Sequence, residues 1–274
     1  MLQSQVNLGL PQISTVFSES FLTGDLDMGL RAVLSFSAIA FLLAGIKPGF
    51  AQFTSHNPGQ FPNPVILFTP PPQEGAPGAT RGAGSRDNQQ CSQDSSSTSQ
   101  ATGKPSLTAL VPSDHIGLTW SERPTFWVYV PQTSAQQVVL SIKQGNQFHS
   151  QRFVPLTGKP GIMGIQSAED SPPLEIGKTY QWAIVLVCGD RPSPNDPVVS
   201  AWVRREQPTQ QLNLQTALQR AAKYSEHGVW YDALTTLAEA KRSQPNDSAL
   251  SETWMSFLMQ PTVRMNAIAA EPLR

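Results

Sequence analysis

Charge is scarce in this chain and what there is cancels, 19 Lys and Arg standing against 20 Asp and Glu. Without a basic field or an acidic tail it carries no electrostatic footprint for nucleic acid or an anionic lipid surface. Cysteine is nearly absent: the two residues, Cys91 and Cys188, form no Cys-x-x-Cys, and no third ligand stands nearby to support a metal site. His56, His115, His149 and His227 lie in unrelated contexts with no His-x-x-x-His, so zinc has no support either. Gly-x-Ser-x-Gly is missing. "GATRGAGSR" is rich in glycine but has neither the Lys-Ser/Thr ending nor the flanking strand and helix that a phosphate-cradling loop needs, which excludes nucleotide chemistry. No catalytic motif and no cofactor-binding motif is found.

What is present begins with an uncharged, mostly apolar run at 32–46, "AVLSFSAIAFLLAGI", preceded by Arg31 and followed by small residues at Gly49 and Ala51. A basic start, an apolar middle and a small-residue exit are the outline of a secretory signal peptide, here cut after Ala51. Residues 1–27 hold Glu19, Asp25 and Asp27 but no Lys or Arg, a poor start for export, so the reading places the true start at Met28. The signal peptide is then 28–51 and residues 1–27 are an upstream extension. The alternative is an uncleaved inner-membrane anchor, for which the run is short against the roughly 20 residues of a spanning helix. Export into an oxidising periplasm or beyond makes an even cysteine count point to one disulfide, Cys91 with Cys188.

Residues 52–106 are crowded with Pro, Gly, Ser and Gln and read as a linker arm, tethered at Cys91 and offering "VILF" at 65–68 as an edge strand. From 107 to 206 short apolar runs alternate with turn residues, the pattern of an antiparallel β domain. Strands are expected at 107–112, 117–122, 125–130, 137–144, 147–154, 161–166, 179–188 and 198–205, with Gly145-Asn146 as a tight hairpin turn. "LEIGKTYQWAI" sets Leu174, Gly177 and Tyr180 at the spacing that precedes a late strand of immunoglobulin-like sandwiches, where the tyrosine hydroxyl bonds back across the corner.

Beyond Pro208 the period changes to helical. Residues 209–228 and 229–247 form a hairpin with Gly228 at its turn, similar to one tetratricopeptide repeat, with Trp230 as the aromatic and Ala233 and Ala240 as small packing residues. One repeat cannot cover its own face, so the hairpin needs a third helix at 248–260 or the sandwich; 261–274 reads as a frayed tail. The fold class expected is mainly β: an immunoglobulin-like antiparallel β-sandwich with a C-terminal tetratricopeptide-like α-hairpin.

Taken in order, "FTPPPQEGAPG" before a Cys, "LTALVP", "GLTWSERPTFWVYVP", "PGIMGI", "PPLEIGKTYQWAIVLVC" and "HGVWYDALTTLAEAKRSQPND" resemble the cyanobacterial domain-of-unknown-function 928 family, from about Phe68 to Gln260. The resemblance implies an exported protein of unassigned activity and carries over no catalytic residue. It does carry over Cys91 and Cys188, the Glu122-Arg123-Pro124 strand entry and the helix from Trp230 to Leu234. "SQDSSSTSQATG" after Cys91 departs from the family pattern.

Two classes of function stay open. Glu122, Glu169, Asp170, Asp190 and Asp196 are expected as turn residues rather than a calcium loop or a catalytic pair. Glu122 and Arg123 are read as a surface pair of small energetic worth. Trp120, Trp127 and Tyr129 are the candidate binding residues, with Trp202 beside them. In "TFWVYV" strand alternation sends Phe126, Val128 and Val130 to the core and Trp127 and Tyr129 to the other face, covered by the hairpin, the favoured reading, or open to a ligand. The expectation is an exported, non-enzymatic envelope protein whose partner is an envelope protein or a glycan, making no membrane contact except through an uncleaved signal segment. The alternative is a carbohydrate- or peptide-binding module that uses exposed aromatics.

Overall fold

The computed structural model describes residues 65–72, 91, 93–94, 105–112, 115–209 and 216–274. The expected upstream extension, the signal peptide, most of the arm and His56 lie outside these residues. The described chain is mainly β, with two sheets followed by C-terminal helices. Its strands are β1 (Thr108–Ala109), β2 (Gly117–Thr119), β3 (Phe126–Val130), β4 (Gln137–Gln144), β5 (Gln147–Pro155), β6 (Gly161–Ile165), β7 (Thr179–Val187) and β8 (Val198–Arg205). The helices are α1 (Ala217–Glu226), α2 (Trp230–Ser243) and α3 (Ser248–Met259). Among the described residues no helix is long and apolar enough to cross a membrane.

A three-stranded sheet runs β1-β3-β6 and a five-stranded sheet β2-β8-β7-β4-β5. Pairing is antiparallel throughout except for β2, which lies parallel to β8. That departs from the expected all-antiparallel arrangement. Strand β2 reaches its partner from the far end of the domain, and the intervening chain serves as the crossover that parallel pairing needs. Strands β4 and β8 fall on the expected residues, and Gly145, with φ +57°, occupies the turn that returns β4 into β5. Strands β1 and β2 are shorter than expected.

The facing surfaces of the sheets meet where Phe126 of β3 packs on Trp182 of β7, ring centroids 5.0 Å apart. Val138, Leu140, Ile142, Trp182, Ile184, Leu186, Ala201 and Val203 complete this core from alternating positions of β4, β7 and β8. Tyr180 is fully buried, and its hydroxyl accepts the backbone N–H of Glu175 at 3.1 Å, with Gly177 at φ +74° between them.

The first turn of α2 drives into the end of this core. Tyr231 packs edge-on against Phe126; its hydroxyl accepts the Trp182 indole N–H at 2.6 Å and donates to the Trp202 carbonyl at 2.9 Å. Burial lifts the Tyr231 phenol far above its ordinary range. Next to it Trp230 donates to the Leu110 carbonyl, stacks on Phe257 of α3 and meets Phe68 of the arm edge-on. Thus α3 covers the hairpin, as one helical pair requires.

The arm at 65–72 does not add a strand. It is an extended strap with Ile66 and Phe68 buried and Val65 and Leu67 exposed. The side-chain amide of Gln260 replaces a neighbouring strand, accepting from the Phe68 N–H and donating to the Ile66 carbonyl, each at 2.8 Å. Farther along, Cys91 is joined to Cys188 at the end of β7 by a disulfide.

Residues 261–274 are not frayed. Val263, Met265, Ile268 and Ala269 are buried, and the last residues bridge onto β6: the Ile162 N–H donates to the Pro272 carbonyl and the Arg274 N–H to the Ile162 carbonyl. Their apolar residues follow no strand or helix period, so periodicity passes over them, although the burial is real.

Candidate functional site

Every residue of β3 is buried, so the expected outer face of this strand is covered rather than open. Two different elements cover it. Trp127 lies under α2, its indole N–H donating to Thr235 Oγ1 at 3.0 Å, and the Arg242 guanidinium sits 4.9 Å above the ring. Tyr129 lies under the C-terminal residues, where burial and the Glu271 carboxylate raise its phenol and Arg274 opposes them. The hairpin therefore covers Trp127 as favoured, while Tyr129 is covered by the segment read as a tail. Trp120 is half-buried, edge-on to Tyr224 and His227 at 5.5 and 5.7 Å. Trp127 and Tyr129 therefore present no open face for stacking; Trp127 and Trp120 pack against the helices, and Tyr129 against the C-terminal segment.

Arg123 and Glu122 do not pair with each other. Arg123 donates to the carbonyls of Ala168 and Ser171, while Glu122 reaches Arg205 at 3.9 Å. Asp196 holds the backbone N–H groups of Ser193 and Cys188, a turn role as expected. Among the described residues no group of three or more His, Cys, Asp or Glu is placed to hold a metal.

Beside Trp127 the helix and the strands part. Asp232, Thr235, Thr236, Glu239 and Arg242 recur at helical spacing on α2 and turn one polar edge of it towards the ends of β3 and β6. Asp232 anchors the upper end, accepting from the Thr119 hydroxyl at 2.7 Å and the Trp120 N–H at 3.2 Å, and burial raises its carboxyl above the usual range. Thr119 in turn accepts the Ser121 N–H, which sets the loop leading into β3. A crevice of about 130 Å³ opens between this loop and α2. It adjoins a larger cleft of about 310 Å³ through two shared residues, Thr125 and Gln166.

Two guanidinium groups, Arg152 of β5 and Arg242 of α2, line the larger cleft with Glu239, and Trp127 and Gly164 form its floor. Gly164 is the register partner of Trp127, and a Cβ there would stand 3.1 Å from the indole and 2.6 Å from the Thr125 methyl. Besides Trp127, a strand glycine that admits a close neighbour is a sequence signal that this site offers. Arg152, Glu239, Arg242 and Gln166 went unread because each looks like an ordinary surface residue in its own segment. The polar residues that line the cleft are thus two arginines, a threonine, a glutamine and one glutamate.

A second surface lies at the far side of the five-stranded sheet. Strand β5 has nine residues and, among the described residues, only β4 as a neighbour. Phe148 and Phe153 project from it, 71% and 51% exposed. Phe153 also borders a groove of about 750 Å³ with Gln93, Gln137 and Cys188.

No curated protein and no solved structure matches the chain. A family model described as Domain of Unknown Function (DUF928) matches residues 77–273, which takes in both cysteines, all the strands and all the helices, and the chain belongs to that family.

Proposed function

We propose that this is an exported, non-catalytic protein of the cell envelope that works by contact with another envelope protein, which adds a strand at β5. In this reading the sheets form an immunoglobulin-like sandwich, supported by the Tyr180 hydroxyl accepting from the Glu175 N–H in the manner of a tyrosine corner. The hairpin of α1 and α2 is tetratricopeptide-like, supported by Gly228 at its turn and by the buried Ala233 and Ala240 on α2. The disulfide fits an oxidising compartment.

The observation that carries the reading is the long β5 edge, unpaired on its far side among the described residues, with Phe148 and Phe153 projecting from it. Unpaired edges are sticky, and proteins normally blunt them with charge, proline or cover. Over its nine residues β5 carries one charged side chain, Arg152, and a proline only at its last position, Pro155. An extended segment of a partner gains main-chain hydrogen bonds there and apolar contact with the two rings. The test is photo-crosslinking in native envelopes from position 153, with buried position 118 of β2 as control. A discrete adduct from 153 alone supports the reading, and equal silence from both positions overturns it. Export is checked separately by N-terminal sequencing, which should begin at or near Gln52.

A further inference from the structure

The cleft under α2 has a charge pattern that selects a ligand. Arg242 sits over the Trp127 ring and feels the Glu239 carboxylate, and among the described residues its guanidinium makes no hydrogen bond. Arg152 spends one N–H on the Gln166 carbonyl, 3.0 Å away, and among the described residues the rest of its fork makes no hydrogen bond. Two forks lining one cleft suit the two oxygens of a carboxylate, which guanidinium groups grip in parallel. Glu239 shares the cleft, so its net charge is a single positive one, which favours a monoanion over doubly charged phosphate. Glu239, Thr125 and Gln166 line the same cleft and are residue types that hydrogen-bond hydroxyl groups. At about 310 Å³ the volume stands at the small end of the roughly 300–1,000 Å³ common for ligand sites.

We propose that the cleft between α2 and strands β3, β5 and β6 binds a uronate-type sugar unit of an acidic envelope glycan. Arg242 and Arg152 hold the carboxylate while Glu239, Gln166 and Thr125 read the hydroxyls. The site deepens the envelope-contact reading and rests on it only for the source of the glycan. Arg152 points to the inner side of β5 and Phe153 to the outer side, so the two surfaces are separable by mutation.

Titration of the full exported chain with an oligogalacturonate, followed by tryptophan fluorescence, tests the proposal. Saturable binding is expected, weakened about tenfold or more by Arg242→Ala and only partly restored by Arg242→Lys, which keeps the charge and loses the fork. Glu239→Gln should tighten the carboxylate, and Phe153→Lys should leave binding unchanged. Arg242 is exposed, so its variants should fold, which circular dichroism checks. No saturable binding overturns the proposal. So does equal binding of the neutral oligosaccharide, of inorganic phosphate or of a peptide with a free C-terminal carboxylate, or binding that Arg242→Ala leaves intact. A failed β5 crosslink beside successful titration would overturn the strand-pairing reading alone.

Discussion

The two edges of the five-stranded sheet are treated in opposite ways. At one edge β2 is three residues long and buried along its whole length, and Gly117 lies so close to Tyr231 that a Cβ would meet its ring. Helix α2 closes this edge, and Asp232 uses up the Thr119 hydroxyl. At the other edge β5 runs three times as long, nine residues against three, with two exposed rings and no covering element among the described residues. In the proposed reading that difference marks the longer edge as the one a partner strand would pair with. Edge protection in this fold is a local choice made by α2.

The difference between the edges can be attacked at several points. The largest effect should come from the disulfide, which braces the arm on the β5 side, where Gln93 and Cys188 border the same groove as Phe153. Cys91 and Cys188 are 97 residues apart in sequence. Opening a loop of that length by Cys91→Ser should cost about 4 to 5 kcal/mol in the chain-entropy view, read from urea unfolding. At the closed edge, Gly117→Val should cost about 3 kcal/mol or more, because Tyr231 cannot yield without losing its bonds to Trp182 and Trp202. An unchanged midpoint would mean that α2 does not seal β2 as described.

Asp232 gives a smaller and pH-dependent signal. Its carboxyl is raised in the folded state by burial, so the unfolded chain loses that proton first as pH rises. Its contribution is therefore complete below the ordinary carboxyl value and is lost as pH climbs through the raised one. Stability measured from pH 4 upward should fall more steeply in the native protein than in Asp232→Asn, and parallel curves would remove Asp232 as the cause. The smallest effect belongs to the open edge. Phe148→Lys and Phe153→Lys should each shift stability by no more than about 0.5 kcal/mol, and Phe148→Lys should weaken the crosslink made from position 153. Substantial unfolding would show that these rings pack on the protein itself.

Much of the β architecture was legible because it is written locally. The apolar runs of β4 and β8, the Gly145 turn and the Leu174-Gly177-Tyr180 spacing each belong to one short segment, and each maps onto the structure. Helix boundaries followed Gly228 and Pro245 in the same way. What escaped depends on distant residues meeting. Tyr129 was paired with the wrong cover because Pro272 and Leu273 reach β6 through backbone bonds that leave no periodic trace. In the site, Trp127 was singled out from its strand, but the arginines that give it meaning come from β5 and from the last turn of α2, and neither carries any mark of the other.

The grip of Gln260 on the arm also fixes an order of assembly. Its amide pairs with the backbone of Ile66 and Phe68, and in the same strap the Phe68 carbonyl accepts from the Thr262 hydroxyl while the Thr69 N–H donates to the Ser225 carbonyl. All these partners are made late in synthesis, so the earliest described part of the chain must wait for the last helices before it can settle. Because the clasp reads main chain, Val65 and Leu67 can vary freely, whereas Gln260→Leu would leave two peptide groups unmatched and free the strap for proteolysis while the sheets stay folded.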